Sequence, residues 1–305
     1  MWLILAFLSA ALLGCYDSFK KQALKENAVI PVLFLNTLFS SLIFLPFILL
    51  SASSGVLDGT IFHVASGGWE THKYILLKAL IVLSSWILGY FGMKHLPLTI
   101  VGPINATRPV MVLVGALLVF GERLNVWQWI GVLLAVLSFL LLSRSGKKEG
   151  IDFKHDHWIY MIVGAAALGA VSGLYDKYLM APVESGGVGL DRMMVQSWYN
   201  IYQCFMMGAM LVLLWWPKHE DTTPFHWSWS IFGVSLFLSA ADFMYFYSLS
   251  LPAAMISIVS MIRRGSVIVS FMFGAVFFHE KNLKAKALDL ALVLLGMVFL
   301  YIGSR

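Results

Sequence analysis

The chain has 305 residues, of which 60% are hydrophobic and 12% charged, with 21 Lys and Arg against 16 Asp and Glu. A soluble domain carries about twice that charged fraction, so the composition excludes a water-soluble globule and requires lipid as solvent. The net charge of +5 is dispersed over many short loops rather than gathered on one face, so it says little about nucleic acid; the long unbroken apolar runs exclude a membrane β-barrel, whose strands alternate apolar and polar residues.

A membrane-spanning helix needs about 20 apolar residues, and ten segments qualify: 2–22, 29–51, 74–93, 96–120, 126–143, 158–180, 192–215, 229–249, 251–278 and 286–303. Met1 is followed at once by Trp2 and an apolar run, with no basic stretch before it and no small-residue cleavage site ahead of Lys20 and Lys21. That pattern predicts a retained first helix rather than a signal peptide. Leu96-Pro97 and Leu251-Pro252 each divide two apolar runs with almost no loop, while Gly121-Glu122-Arg123 and His279-Glu280-Lys281 form tight polar turns. The most polar stretch, Ser143 to His157, falls near mid-chain. Cys15 and Cys204 sit inside apolar stretches and supply neither a disulfide framework nor a metal-binding pair.

The two halves repeat one another. Gly14-Cys15-Tyr16-Asp17 returns as Gly173-Leu174-Tyr175-Asp176, and Tyr90-Phe91 followed by Leu96-Pro97 returns as Tyr245-Phe246 followed by Leu251-Pro252. Phe120-Gly121-Glu122-Arg123 matches Phe278-His279-Glu280-Lys281, and Ser143-Arg144 matches Ser304-Arg305. Recurrence in the same order predicts a first five-helix unit over 1–145, a polar linker over 146–157 and a second unit over 158–305. Five crossings leave the chain on the opposite side, so the second unit enters upside down. The expected architecture is all-α and integral to the membrane, with ten transmembrane helices arranged as two inverted five-helix repeats, a common transporter plan.

On Leu96-Pro97, Pro109 within its helix, Gly121-Glu122-Arg123, a closing helix containing Gly131, and the second-half Leu251-Pro252 and His279-Glu280-Lys281, the chain resembles the drug/metabolite transporter superfamily in its EamA-type branch. The resemblance covers nearly the whole chain and implies a ten-helix permease for a small metabolite in the cytoplasmic (inner) membrane of a bacterium. Two features depart from it. Pro and Glu are 25 positions apart in the first half and 28 in the second, and Arg263-Arg264-Gly265 stands where a mid-helix Pro is expected.

A charge in hydrocarbon is costly unless paired or hydrated, so each intramembrane charge is a functional candidate. Arg108 and Arg263 lie about 11 residues beyond their Leu-Pro turns, roughly 17 Å deep, and Arg can grip a carboxylate or phosphate with two parallel bonds. Both are candidate substrate ligands or structural ion-pair partners. Asp242 is the expected partner of Arg263, because the eighth and ninth segments run antiparallel and the two depths match. Helix neighbours diverge by about 100°, so Arg263 and Arg264 cannot both face one cavity squarely, and Arg263 is favoured. Asn105 precedes Arg108 between Pro103 and Pro109, each of which deletes a helical hydrogen bond.

The repeat-related Asp17 and Asp176, with Asp242, are candidates for gating or ion coupling, the first two being alternatively helix-end interfacial residues. Gln196, Tyr199, Asn200 and Gln203 share one helix face, the pattern of a cavity lining. Trp86, Tyr90 and Tyr245 are candidate aromatic walls, and Ala166, Gly169, Ala170 and Gly173 permit close helix packing. His63, His72, His155, His157 and His226 fall in or beside loops and read as solvated.

No nucleophile elbow, phosphate loop or zinc spacing is present, so the sequence points away from an enzyme and implies no cofactor and no metal. The leading reading is a secondary transporter working by alternating access on an anionic or zwitterionic metabolite such as an amino acid, organic acid or sugar derivative. The alternatives are an intramembrane enzyme acting on a lipid-linked phosphate, with Asp17 or Asp176 as base, and a non-transporting receptor or channel. The expected partners are a small-molecule substrate, membrane lipid and protons or a counter-substrate, with no nucleic acid, in a monomer or weak dimer. Ten crossings put both termini on one side. Assigning Lys78 to a loop on that side and Lys20 to one opposite, with the other loop charges, places the larger cationic share opposite the termini. The positive-inside rule then favours external termini, against the cytoplasmic termini that the resemblance implies.

Overall fold

The computed structural model describes residues 2–108, 110–111, 125–147, 153–180, 182–251, 259, 262–278 and 283–303. Pro109, Pro252, both Gly/His-Glu-basic turns and the closing Ser304-Arg305 lie outside the described residues. Each of the ten predicted segments contains a described helix: α1 Trp2–Leu24, α2 Val29–Ser53, α3 Trp69–His95, α4 Leu98–Ala106, α5 Val126–Lys147, α6 His157–Met180, α7 Arg192–Met210, α8 Trp229–Ser250, α9 Ser266–Val276 and α10 Leu283–Gly303. No strand occurs among the described residues. Of these helices α1, α2, α3, α6 and α8 are individually long and apolar enough to cross a membrane.

Local chemistry sets the ends. Leu96 is extended (φ −107°, ψ 149°) and closes α3, because a residue preceding proline is driven out of the helical region. Leu251 closes α8 in the same way (ψ 144°). The Asp191 side chain caps α7 by accepting from the Met194 N–H at 2.9 Å. Beyond Met210, a π-helical turn over Leu211–Trp215 and a 3-10 turn over Trp216–Asp221 complete the seventh segment.

Lipid as solvent inverts the usual surface. Ile4, Phe7, Phe205 and Leu213 stand exposed on the outside, whereas Asn36, Gln203, Lys78 and Ser9 are buried. With lipid outside, helices gain little from burying apolar area against each other and associate through close packing and interhelical hydrogen bonds. Both are present. A Cβ on Gly14 would lie 2.4 Å from Val269 Cβ, and one on Gly92 would lie 2.5 Å from Ile162 Cδ1, so α1 meets α9 and α3 meets α6 at distances only glycine allows. Ser9 Oγ donates to Ala241 O at 2.7 Å, Ser85 Oγ to Ala165 O at 2.7 Å, and Ser138 Oγ to Asp289 O at 2.6 Å, tying α1 to α8, α3 to α6 and α5 to α10.

The helices pair across the halves: α1 with α8, α3 with α6, α2 with α7, α4 with α9 and α5 with α10. Exchanging each helix with its counterpart five places on in this order converts the first contact into the second and returns the other three to themselves. The contacts α2–α8 and α3–α7 exchange likewise.

Two location readings are corrected. α3 starts at Trp69, five residues before its apolar run, which brings His72 inside the helix, and Lys78 lies within the helix as well. Lys78 is buried and ion-paired, and Lys20 is buried within α1; neither is a loop charge, so neither belongs in a count of loop cations. The His72 Nδ1 hydrogen-bonds the Tyr202 hydroxyl at 2.7 Å and its ring stands edge-on to Trp198, so it is not a freely solvated loop residue.

Candidate functional site

A cavity of about 150 Å³ opens where the halves meet, with walls from α1, α3, α4, α6, α7 and α8 and from the residues immediately before and within α9. Its lining includes five cationic side chains (Lys20, Lys78, Arg108, Arg263 and Arg264) and three carboxylates (Asp17, Asp176 and Asp242). Each carboxylate is engaged. Asp242 pairs with Arg263 and also accepts the Tyr199 hydroxyl at 2.8 Å. Asp176 pairs with Lys78, whose ammonium lies 5.1 Å from the Tyr199 ring centre and 5.4 Å from that of Phe246. Asp17 pairs with Lys20 at 3.3 Å, one turn along the same helix, and the Lys20 ammonium also faces the rings of Tyr16 (4.5 Å) and Tyr90 (5.0 Å).

Arg108 differs. Its Nη2 donates to Asn105 Oδ1 at 3.0 Å, its Nε is buried without a partner, and no carboxylate among the described residues pairs with it. Its guanidinium lies against α6 where that helix has no side chain: a Cβ on Gly169 would sit 2.8 Å from Arg108 Cζ. Thr107 interrupts the helix just before it, its N–H bonding Ile104 O at 3.1 Å in a tightened turn. Gly265 makes the corresponding turn to Ile262 O at 2.9 Å after Arg264. The cavity arginines thus come from irregular turns in both halves, where broken helix is tolerated because it lines a cavity.

The sequence candidates separate on this geometry. Asp17, Trp86, Tyr90, Asn105, Arg108, Asp176, Tyr199, Asp242, Tyr245 and Arg263 line the cavity. Of the polar stripe on α7, only Tyr199 does. Gln196 Nε2 turns to Ser239 O at 3.2 Å, and Asn200 Nδ2 bonds Gln196 O at 2.8 Å. Gln203 is fully buried with both amide atoms unbonded among the described residues. These three do not line the cavity, which departs from the cavity-lining expectation; the Gln196 bond shows that part of the stripe faces α8 instead. Arg263, expected to face the cavity ahead of Arg264, spends its charge on Asp242 and lies over the Tyr245 ring at 4.2 Å, while Arg264 has no carboxylate partner among the described residues. Gly173 faces the cavity with nothing within 4 Å rather than packing a neighbour.

The sequence reads Lys20 and Lys78 as loop charges and sets Arg264 behind Arg263. The Asp17–Lys20 spacing of three was a legible helix-pair signal; Lys78 carried none, since its partner lies 98 residues away. Pairing of Asp17 and Asp176 with lysines leaves neither placed as a free base.

The fold is shared with proteins of known structure. One solved structure, titled "Crystal structure of protein", aligns with a TM-score of 0.64 at 13% identity, covering 99% of this chain and 97% of its own; at that identity the likeness is one of fold. No curated protein matches the sequence. The family model described as the EamA-like transporter family matches residues 1–144, and with the apolar spanning helices it makes the chain an integral, multi-pass membrane protein. That match agrees with the resemblance carried by Leu96-Pro97 and Gly121-Glu122-Arg123, which lie within the matched residues.

Proposed function

We propose that this protein is a secondary transporter that carries a small anionic metabolite through the cavity by alternating access, in a cytoplasmic membrane crossed ten times. The observation that carries the reading is Arg108. It is a half-buried guanidinium on the cavity wall, its Nε fully buried, held by one neutral amide and left without a carboxylate among the described residues. Hydrocarbon penalises such a charge unless water or a ligand meets it. The helix pairing that maps onto itself when the halves are exchanged supports two inverted repeats, units 1–145 and 158–305, and such repeats can swap conformations around a central site. The ion pairs Lys78–Asp176 and Arg263–Asp242 are the contacts whose making and breaking would accompany that exchange, in a monomer or weak dimer, with protons or a counter-substrate as coupling partner.

The reading is tested in liposomes by counterflow of radiolabelled organic anions. Arg108→Gln is expected to weaken binding about tenfold or more, the worth of a lost charge-assisted hydrogen bond, while the protein remains folded. Arg108→Lys restores part of it, since charge remains without the planar fork. Normal binding and transport by Arg108→Gln would make Arg108 structural; chemical change of the substrate during uptake would replace the transporter with an enzyme.

A further inference from the structure

We infer that the substrate is a dianion, a phosphate monoester or dicarboxylate, held jointly by Arg108 and Arg264; this rests on the cavity being the substrate site. The argument is charge balance in a confined space. Five cations and three carboxylates line the cavity, leaving two positive charges in excess. The three carboxylates are taken singly by Lys20, Lys78 and Arg263, so the excess resides on Arg108 and Arg264. These two have no carboxylate partner among the described residues.

Their placement makes them one site rather than two. α4 and α9 pack against each other, and each guanidinium issues from the irregular turn of its own half, at Thr107 and at Gly265. Both guanidiniums line the same cavity. A monoanion would neutralise one guanidinium and leave the other uncompensated in a region where that is costly. A ligand with two negative charges cancels both, and the planar forks of two arginines match phosphate or paired carboxylate oxygens. Gly169 belongs to this site by omission, since any side chain there would displace the Arg108 guanidinium.

Binding is read by thermal shift and equilibrium dialysis on the purified full chain, with glycerol 3-phosphate, succinate, lactate, glycerol and micellar phosphatidate as probes. One or both soluble dianions are expected to bind at least tenfold more tightly than lactate, and glycerol not at all. Glycerol 3-phosphate should bind better at pH 7.5 than at pH 5, because a phosphate monoester acquires its second charge around pH 6 while arginine does not titrate. Arg264→Gln is expected to lose that preference for dianions and, unlike a structural residue, to raise the melting temperature of the empty protein by removing a half-buried charge without a carboxylate partner among the described residues. Lactate binding as tightly as both dianions would overturn the dianion while leaving an anion transporter. Binding of phosphatidate alone would overturn the free-metabolite substrate. Failure of both soluble dianions to bind, or unchanged selectivity in Arg264→Gln, would overturn the inference itself.

Discussion

Asp242 and Arg263 offer the sharpest test of the cavity's electrostatics. Their side chains are 11% and 14% exposed, so both charges are largely withdrawn from water, and Asp242 also accepts the Tyr199 hydroxyl. Asp242→Asn retains an acceptor for Tyr199 but strips Arg263 of its counter-charge. The loss is therefore electrostatic, and breaking a buried pair on one side costs about 3–5 kcal/mol. Arg263 would keep its place over the Tyr245 ring at 4.2 Å, a contact common to both proteins that does not offset the loss. Arg263→Gln, which leaves the carboxylate behind with only the Tyr199 bond, is expected to cost a similar amount. The double replacement, in which two neutral amides face each other, should recover much of either loss. The measurement is reversible unfolding in detergent, analysed as a double-mutant cycle. Single effects that sum to the double within about 0.5 kcal/mol would mean that the two groups do not depend on each other, and the pairing would be wrong.

Three further outcomes follow from the same geometry. Gly169→Ala should weaken anion binding with little change in unfolding, because its Cβ would fall 2.8 Å from Arg108 Cζ and push the guanidinium aside; unaltered affinity would show that Arg108 is not held there. Asp176→Leu should destabilise the protein and Lys78→Met with Asp176→Leu should restore it, since an apolar replacement of a whole buried pair is often neutral; a double variant no better than the single would refute that. Lys21 donates to Met93 O at 2.7 Å and Leu96 O at 2.5 Å, closing the end of α3 from α1, so Lys21→Met should cost about 1–3 kcal/mol in detergent unfolding. A loss under about 0.5 kcal/mol would show that water satisfies those carbonyls equally well.

The sequence determined what depends on runs and local order. Long apolar stretches located a described helix in each predicted segment because helix formation and lipid burial both need only contiguous residues. Proline after Leu96 and Leu251 placed the ends of α3 and α8 because its steric effect reaches a single residue back. The Asp242–Arg263 pair was legible as well, since a tight antiparallel turn converts sequence distance into matched depth. Tertiary structure decided everything that turns on which face meets which helix. Only it distinguishes Tyr199 from Gln203 on one polar stripe, or joins Lys78 to Asp176 across 98 positions. It placed the adjacent Arg263 and Arg264 both on the cavity wall and showed that Asp242 captures only Arg263. A charge's sign and depth can be read from a chain, but whether it is spent on a neighbour or left for a ligand depends on distances of a few ångströms between helices that are far apart in sequence.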